Sequence, residues 1–512
     1  MFKLLLLPSS VLAFSTMLAG PATQVPTPPA FKTYAQFNDT LVAQFNRGDF
    51  QAVEAFGSPA LHKMESVGSM ARYLAGLKGK TGRITSTAVL PVRSKRHEFA
   101  WKGERQNLRV ALMSPVPSVI DDYTISDFIA QPTTRATPVL TDNPQRTPLD
   151  AAVHRAASLY LQHPDAAGMS IAIYQKGQET YYNYGEVEKG TGRLPTSATF
   201  YDLGSVAKTF VTTLLAQAVL DRKVQLTDDI RQYLPGQYPN LEVEGQPIRF
   251  VDLANHTSGL GGTAHVYNPA TKARLDKLTL ADKTAYYNKY TADSLLNDLH
   301  GLKLASRPGT TYRYTGVGTL VLQLLLERVY QQPYEQLVTT YVRTRFGMKD
   351  TKRVLSAEEQ QRYAIGYKSA QLPQAHANYT GYWGGPNLSS TAADLMKYLR
   401  ANLAEREPAV RLAHQRTRGT APEFGLGLGW MLDADTDGNR RIYHDGSSTG
   451  YNTRFVLYPG QDLGIIILVN ENISQGRLTE MEQLLKQELL EAAAAKKQTG
   501  RPAATGTAAA GH

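Results

Sequence analysis

Only one serine in the chain lies three residues ahead of a lysine. The pair is Ser205 and Lys208, within Gly204-Ser205-Val206-Ala207-Lys208-Thr209-Phe210. A serine hydroxyl is a poor nucleophile until a base removes its proton. A lysine amine held against it can do so when burial or a helix N-terminus favours its neutral form. Such a pair predicts attack on a carbonyl and a covalent acyl intermediate. The same spacing also fits two polar residues on the solvent face of an ordinary helix, so the surrounding chain has to decide.

For that chemistry the two side chains must share one helical face. Val211 to Leu220 is an apolar run without Gly or Pro, which predicts a helix buried around most of its circumference. Ser205 and Lys208 then stand one turn apart on the same side. Asp150–Leu161 predicts a helix ahead of them. Met169, Ile171 and Ile173 alternate into a turn at Lys176-Gly177, and Glu179–Tyr184 returns as the second arm of a hairpin. Beyond Ser205, helices and loops dominate. Strand patterning returns only at Arg440–Tyr443, Thr453–Tyr458 and Leu463–Asn470, before a last helix with Leu478, Met481, Leu485 and Leu489 on one face. Early and late strands around a helical middle predict one sheet built from both ends of the domain. Helices cover one face, and a helical insertion forms the other lobe of a ligand cleft.

Seven phrases follow one another along this domain: YDLGSVAKTF at 201–210, LTDDIRQYLP at 226–235, LANHTSGL at 253–260, RPGTTYRY at 307–314, LSSTAADL at 388–395, GLGLGW at 425–430 and YHDG at 443–446. Together they resemble the serine β-lactamase-like family, in the branch of class C β-lactamases, D-Ala-D-Ala carboxypeptidases and related esterases. The resemblance covers about residues 148–490. It implies an α+β fold, an antiparallel sheet flanked by helices with a helical lobe.

The resemblance also implies three motifs around the cleft. Ser205 and Lys208 are the nucleophile and its activating amine. A Tyr-x-Asn motif lands on Tyr314-Thr315-Gly316, so Tyr314 is expected to accept the serine proton and return one to the leaving group. Gly316 replaces an amide that in the family helps hold the lysine and bind the acyl-amide group, which points away from penicillin-type substrates. A Lys/His-x-Gly motif on an edge strand lands on His444-Asp445-Gly446. His444 is expected to place a positive charge or hydrogen bond near a substrate carboxylate, or to orient Tyr314. Gly446 lets a substrate backbone come close. The amide of Ser447 is expected to pair with that of Ser205 as an oxyanion hole. His256 is expected to brace a loop near the cleft. The implied protein is a metal-independent serine hydrolase without cofactor, acting on a small ester or a cell-wall type D-amino-acid peptide. A true β-lactamase and a non-catalytic penicillin-binding or sensor protein are the alternatives.

Two other patterns are weaker. Gly446-Ser447-Ser448-Thr449-Gly450 spells the nucleophile elbow of a different hydrolase fold. That elbow joins a strand to a helix, whereas Thr453–Tyr458 is strand-like. Asp433–Gly438 resembles the start of a calcium loop, but its twelfth position is His444 rather than glutamate. The 11 histidines show no zinc-site spacing.

Composition sets the remaining bounds. At 512 residues, 42% hydrophobic and 20% charged, the chain is globular and long enough for two or three domains. Lys3, the apolar Leu4 to Leu18 and the small residues Ala19–Ala22 predict a signal peptide over residues 1–22, short and interrupted for a membrane span, with an uncleaved anchor as the alternative. The chain has no cysteine, which excludes disulfides and thiolate chemistry and suits a periplasmic or secreted bacterial protein. Of the net charge of +10, only +6 belongs to residues 23–491, with no basic stripe, so nucleic acid is not an expected partner. A small-molecule or peptide substrate is, and no stable membrane insertion is expected after signal cleavage; oligomeric state stays open. Residues 23–32 read as a spacer and 33–130 as a small α+β module, helices first and a meander after, an order that resembles NTF2-like modules. Residues 131–148 read as a linker, 149–490 as the hydrolase domain and 491–512 as a disordered tail.

Overall fold

The computed structural model describes residues 31–64, 68–90, 97–127, 139–260, 274–275, 277–368, 372–374, 379–382, 387–420, 424–435, 438–473 and 475–499. The expected signal peptide, nearly all of the spacer, the first part of the linker and residues 500–512 lie outside them.

Four helices, Tyr34–Arg47, Phe50–Glu54, Pro59–Met64 and Ser69–Thr81, come first. Four antiparallel strands follow, Ile84–Val89, His97–Gly103, Leu108–Met113 and Asp122–Asp127, paired in chain order. The first helix starts on Thr33, whose hydroxyl accepts from the Gln36 amide, and stops on Gly48 in the left-handed region. Its buried face, Phe37, Leu41 and Phe45, packs on Trp101, Leu108 and Val110 of the meander.

The hydrolase domain is organised around an eight-stranded antiparallel sheet. Its order is 418–420, 424–426, 431–434, 440–448, 451–458, 463–469, 168–175 and 178–185. Leu463–Val469 is buried along its whole length and sits between a late and an early strand. Ile466 faces Phe455 on one side and Ala172 on the other. Both ends of the domain therefore meet in the middle of one sheet. The three short strands over 418–434 go beyond the expected set, because Gly419, Gly425, Gly427 and Gly429 erase the alternation that would have marked them.

Helices lie on both faces. Behind the sheet, Pro148–Leu161 and the last helix, Gln475–Thr499, cover Ile171, Ile465 and Ile467 with Leu478, Met481, Leu485 and Leu489. In front, the serine helix Lys208–Leu220 and the helix Ala392–Ala404 are packed between the sheet and the helical lobe. The last helix runs to Thr499, past the tail boundary at 491, since Ala492–Ala495 are the strongest of helix formers. Part of the linker is also fixed. Thr141 bridges to Tyr184, Asp142 accepts from both amides of Asn183 at 2.7 and 2.6 Å, and Thr147 with Asp150 forms a capping box. The first module rests on the last helix, with strand Asp122–Asp127 packed along it and Arg109 at 3.7 Å from Glu480.

Candidate active site

The short strand Phe200–Asp202 pairs with Ser389–Thr391 and delivers the chain into a tight turn. Asp202 accepts the Gly204 amide at 2.9 Å, and Gly204 takes φ +50°. Gly204–Ala207 form one 3₁₀ turn, and the α-helix begins at Lys208. Ser205 thus sits on the 3₁₀ turn rather than in the α-helix itself. The amine of Lys208 still reaches it, Nζ lying 2.9 Å from Ser205 Oγ. The rest of the serine helix is buried, from Thr209 to Ala216, which fixes where that amine can point.

Tyr314 ends the loop ahead of helix Gly316–Tyr330. Its ring centre lies 5.3 Å from Lys208 Nζ, and the residue is 44% exposed. The loop is held mostly through its backbone. The Gly309 amide donates to the Thr257 carbonyl at 2.8 Å, and the Arg313 amide to the His256 carbonyl at 2.8 Å. Arg418 donates to the carbonyls of Gly309 and Thr310, each at 2.6 Å. The Thr315 hydroxyl accepts from Val317 and caps the helix.

His256 packs beneath Tyr314, with ring centres 4.3 Å apart, at a strained φ of +55°. Burial, then the charge of Lys208, then His444 push its pKa down to about 3, so it is neutral near pH 7. Its Nδ1 accepts from the Thr315 amide at 3.3 Å, which puts the remaining hydrogen on Nε2.

His444 is the mirror case. It is buried in strand Arg440–Ser448, and burial followed by the charge of Lys208 lowers its pKa to about 4. Its Nδ1 lies 2.7 Å from the Asp445 carbonyl. A carbonyl can only accept, so Nδ1 carries the hydrogen and Nε2 keeps a lone pair. Burial and the charge of Lys208 thus disfavour the positive charge expected of His444, and its Nε2 stands as an acceptor.

Strand Arg440–Ser448 loses its outer neighbour beyond Tyr443, which pairs with Met431. The freed edge lies against the serine turn. A Cβ added to Gly446 would overlap the Leu203 carbonyl oxygen, and one added to Gly204 would lie 2.6 Å from Ser447 N. Two glycines thus let the amide of Ser447 stand beside the residue that precedes Ser205. Gly316 opens its helix, and a Cβ added there would meet nothing within 4 Å.

Ser205, Lys208, Tyr314, His256 and His444 converge, and Gly446 and Ser447 border the serine turn. The arrangement offers a nucleophile, two groups able to carry its proton, two neutral imidazoles of opposite tautomer and backbone donors beside the serine. The competing patterns end elsewhere. Gly446–Gly450 runs from strand into turn into strand, and Asp435 accepts from Asn439 and pairs with Lys486, while Thr436 and Asp437 of the calcium-loop pattern lie outside the described residues. Arg418 had no sequence signal, since it acts on carbonyls more than a hundred residues away.

A family model described as Beta-lactamase matches residues 154–490. The β-lactamase of Pseudomonas fluorescens is 25% identical over 347 residues, spanning 61% of this chain and 90% of its own length. The D-alanyl-D-alanine-carboxypeptidase/endopeptidase AmpH of Escherichia coli (strain K12) is 25% identical over 347 residues, spanning 62% of this chain and 83% of its own. Among solved structures, a class C β-lactamase aligns with TM-score 0.56 at 21% identity, covering 67% of this chain and 96% of that one. The β-lactamase/D-alanine carboxypeptidase from Pseudomonas syringae aligns with TM-score 0.55 at 22% identity, covering 66% and 98%.

Proposed function

The chain belongs to the β-lactamase family of serine hydrolases, and from that premise we propose an exported enzyme that hydrolyses small, uncharged carboxylic esters. Ser205 Oγ attacks the ester carbonyl. Its proton passes to the pair Lys208 and Tyr314, and the phenol of Tyr314 returns a proton to the departing alcohol. The amides of Ser205 and Ser447 stabilise the tetrahedral oxyanion, donors of that kind being typically worth about 3–4 kcal/mol. Water then resolves the acyl-enzyme by the same route in reverse. The cysteine-free chain and its signal-like start support export to a bacterial envelope or beyond.

The observation that carries the choice of substrate is the state of His444. Its acceptor lone pair and lack of charge make a poor seat for the carboxylate that D-amino-acid peptides and penicillins present. Open space at Gly316, in place of an amide, supports the same preference. A D-amino-acid peptide is the second reading, favoured by the similarity to the AmpH carboxypeptidase/endopeptidase.

The full chain assayed on p-nitrophenyl esters, D-Ala dipeptides and nitrocefin separates these readings. Ester turnover well above the other two is expected. Faster dipeptide release installs the second reading, and faster nitrocefin turnover makes the protein a true β-lactamase. Ser205→Ala is expected to abolish labelling by a fluorescent phosphonate, and persistent labelling moves the nucleophile elsewhere.

A further inference from the structure

The last helix reaches the strand that carries Ser447 from behind. Gln475, its first residue, donates from Nε2 to the carbonyl of Gly446. The same nitrogen lies 3.3 Å from Asn452 Oδ1 and 3.5 Å from the Thr453 carbonyl oxygen. Three acceptors around one atom fix which end of the amide is the donor. The other end, Oε1, is buried with no partner among the described residues, so the side chain is held by its donor alone.

The Gly446 carbonyl and the Ser447 amide belong to one peptide unit. A trans peptide points its C=O and N–H in opposite directions. With the carbonyl turned to Gln475, the N–H is turned to the serine turn, where Ser447 N would lie 2.6 Å from a Cβ on Gly204. A peptide whose carbonyl already accepts a hydrogen bond is also a stronger donor at its N–H. We propose that Gln475 is a positioning residue for the oxyanion hole, orienting and polarising the Gly446–Ser447 peptide. This rests on the assignment of Ser447 as an oxyanion donor.

The same helix holds the preceding residue too. Arg454, 1% exposed, places Nη1 2.7 Å from Asp445 and Nη2 3.1 Å from Glu482. Glu482 and Gln475 are about two turns apart on the helix, so they share a face. The helix thus reaches Gly446 directly and Asp445 through Arg454 of the next strand. A site on packed helix and strand holds its donors more accurately than one on a loop.

Gln475→Met keeps the bulk of the side chain and removes the donor. On p-nitrophenyl esters the full-length variant is expected to lose about tenfold in kcat with KM unchanged, the worth of one hydrogen bond felt in the transition state. The carbonyl stretch of its acyl-enzyme is expected at higher wavenumber, because a weaker oxyanion hole polarises that bond less. Gln475→Glu supplies a second readout. It is expected to be impaired near neutral pH and to recover in mild acid, where a protonated carboxyl donates in place of the amide.

Wild-type kcat and an unmoved stretch in Gln475→Met, with Ser205 still labelled, overturn this proposal alone. A loss confined to KM overturns it as well, by making Gln475 a substrate contact. Persistent labelling of Ser205→Ala removes the site itself.

Discussion

The amine of Lys208 stands over the ring of Tyr314, 5.3 Å from its centre, while the same nitrogen lies 2.9 Å from Ser205 Oγ. One amine therefore lies beside the proposed nucleophile and over the π face of the proposed proton carrier. The ring can serve the lysine without its hydroxyl, which separates two contributions. Tyr314→Phe is expected to keep the fold and the phosphonate-reactive serine. It is expected to lower kcat on esters by about 10²–10⁴, the usual worth of a general acid–base group. Lys208→Met is expected to lose at least as much. Single-turnover kinetics check both.

Gly316 makes a prediction in the gaining direction. Nothing lies within 4 Å of a Cβ added there, so the first side-chain carbon of Gly316→Asn displaces no neighbour. The variant is expected to raise kcat/KM on nitrocefin at least tenfold, the scale of one well-placed hydrogen bond, and to leave ester turnover near the parent value. No gain on nitrocefin detaches substrate choice from this position.

The contact between strand and serine turn depends on Gly446. A side chain there drives into the Leu203 carbonyl, immediately before the nucleophile turn. Gly446→Ala is expected to destabilise the domain by about 1–3 kcal/mol through overpacking. It is also expected to slow phosphonate labelling by more than the unfolded fraction explains. Urea unfolding and labelling rates, measured on one preparation, test both halves.

Both histidines in the site bear on stability against pH. In an unfolded chain each titrates near 6.5. In the fold, burial and the charge of Lys208 lower His444 to about 4 and His256 to about 3. Between those limits the unfolded chain binds more protons, so stability increases with pH. The contribution is complete above about 6.5 and is lost as pH falls through the two folded values. His444→Asn is expected to flatten this dependence between neutral pH and mild acid, as read from urea midpoints. An unchanged slope assigns the acid sensitivity elsewhere.

Much of the scaffold was legible because it obeys simple periods. Met169, Ile171 and Ile173, and the continuous run through Leu463–Val469, announce strands buried in one sheet. The three-residue spacing of Ser205 and Lys208, read with the motifs around it, places the pair, although Ser205 stands on a 3₁₀ turn just ahead of the α-helix. What stayed hidden acts at long range or through the backbone. The strands over 418–434 are three or four residues long, with glycines at 419 and 425 inside them and at 427 and 429 between them. His256 takes a left-handed φ and a tautomer set by Thr315, neither of which leaves a mark in residue types. Gln475 works on a peptide bond 29 residues upstream of it. The alanines after Glu491 look like low complexity, yet as far as Thr499 they continue a helix already docked on the sheet.

That closing helix has a consequence for how the protein comes alive. Its back carries the first module, through Arg109 and Glu480, and its front grips the strand beside the nucleophile. A growing chain that has made Ser205, Lys208 and Tyr314 but not yet Gln475 still lacks the brace behind Ser447. Cutting the chain ahead of Gln475 is expected to return the molecule to that unarmed state and to unseat its N-terminal module in the same stroke.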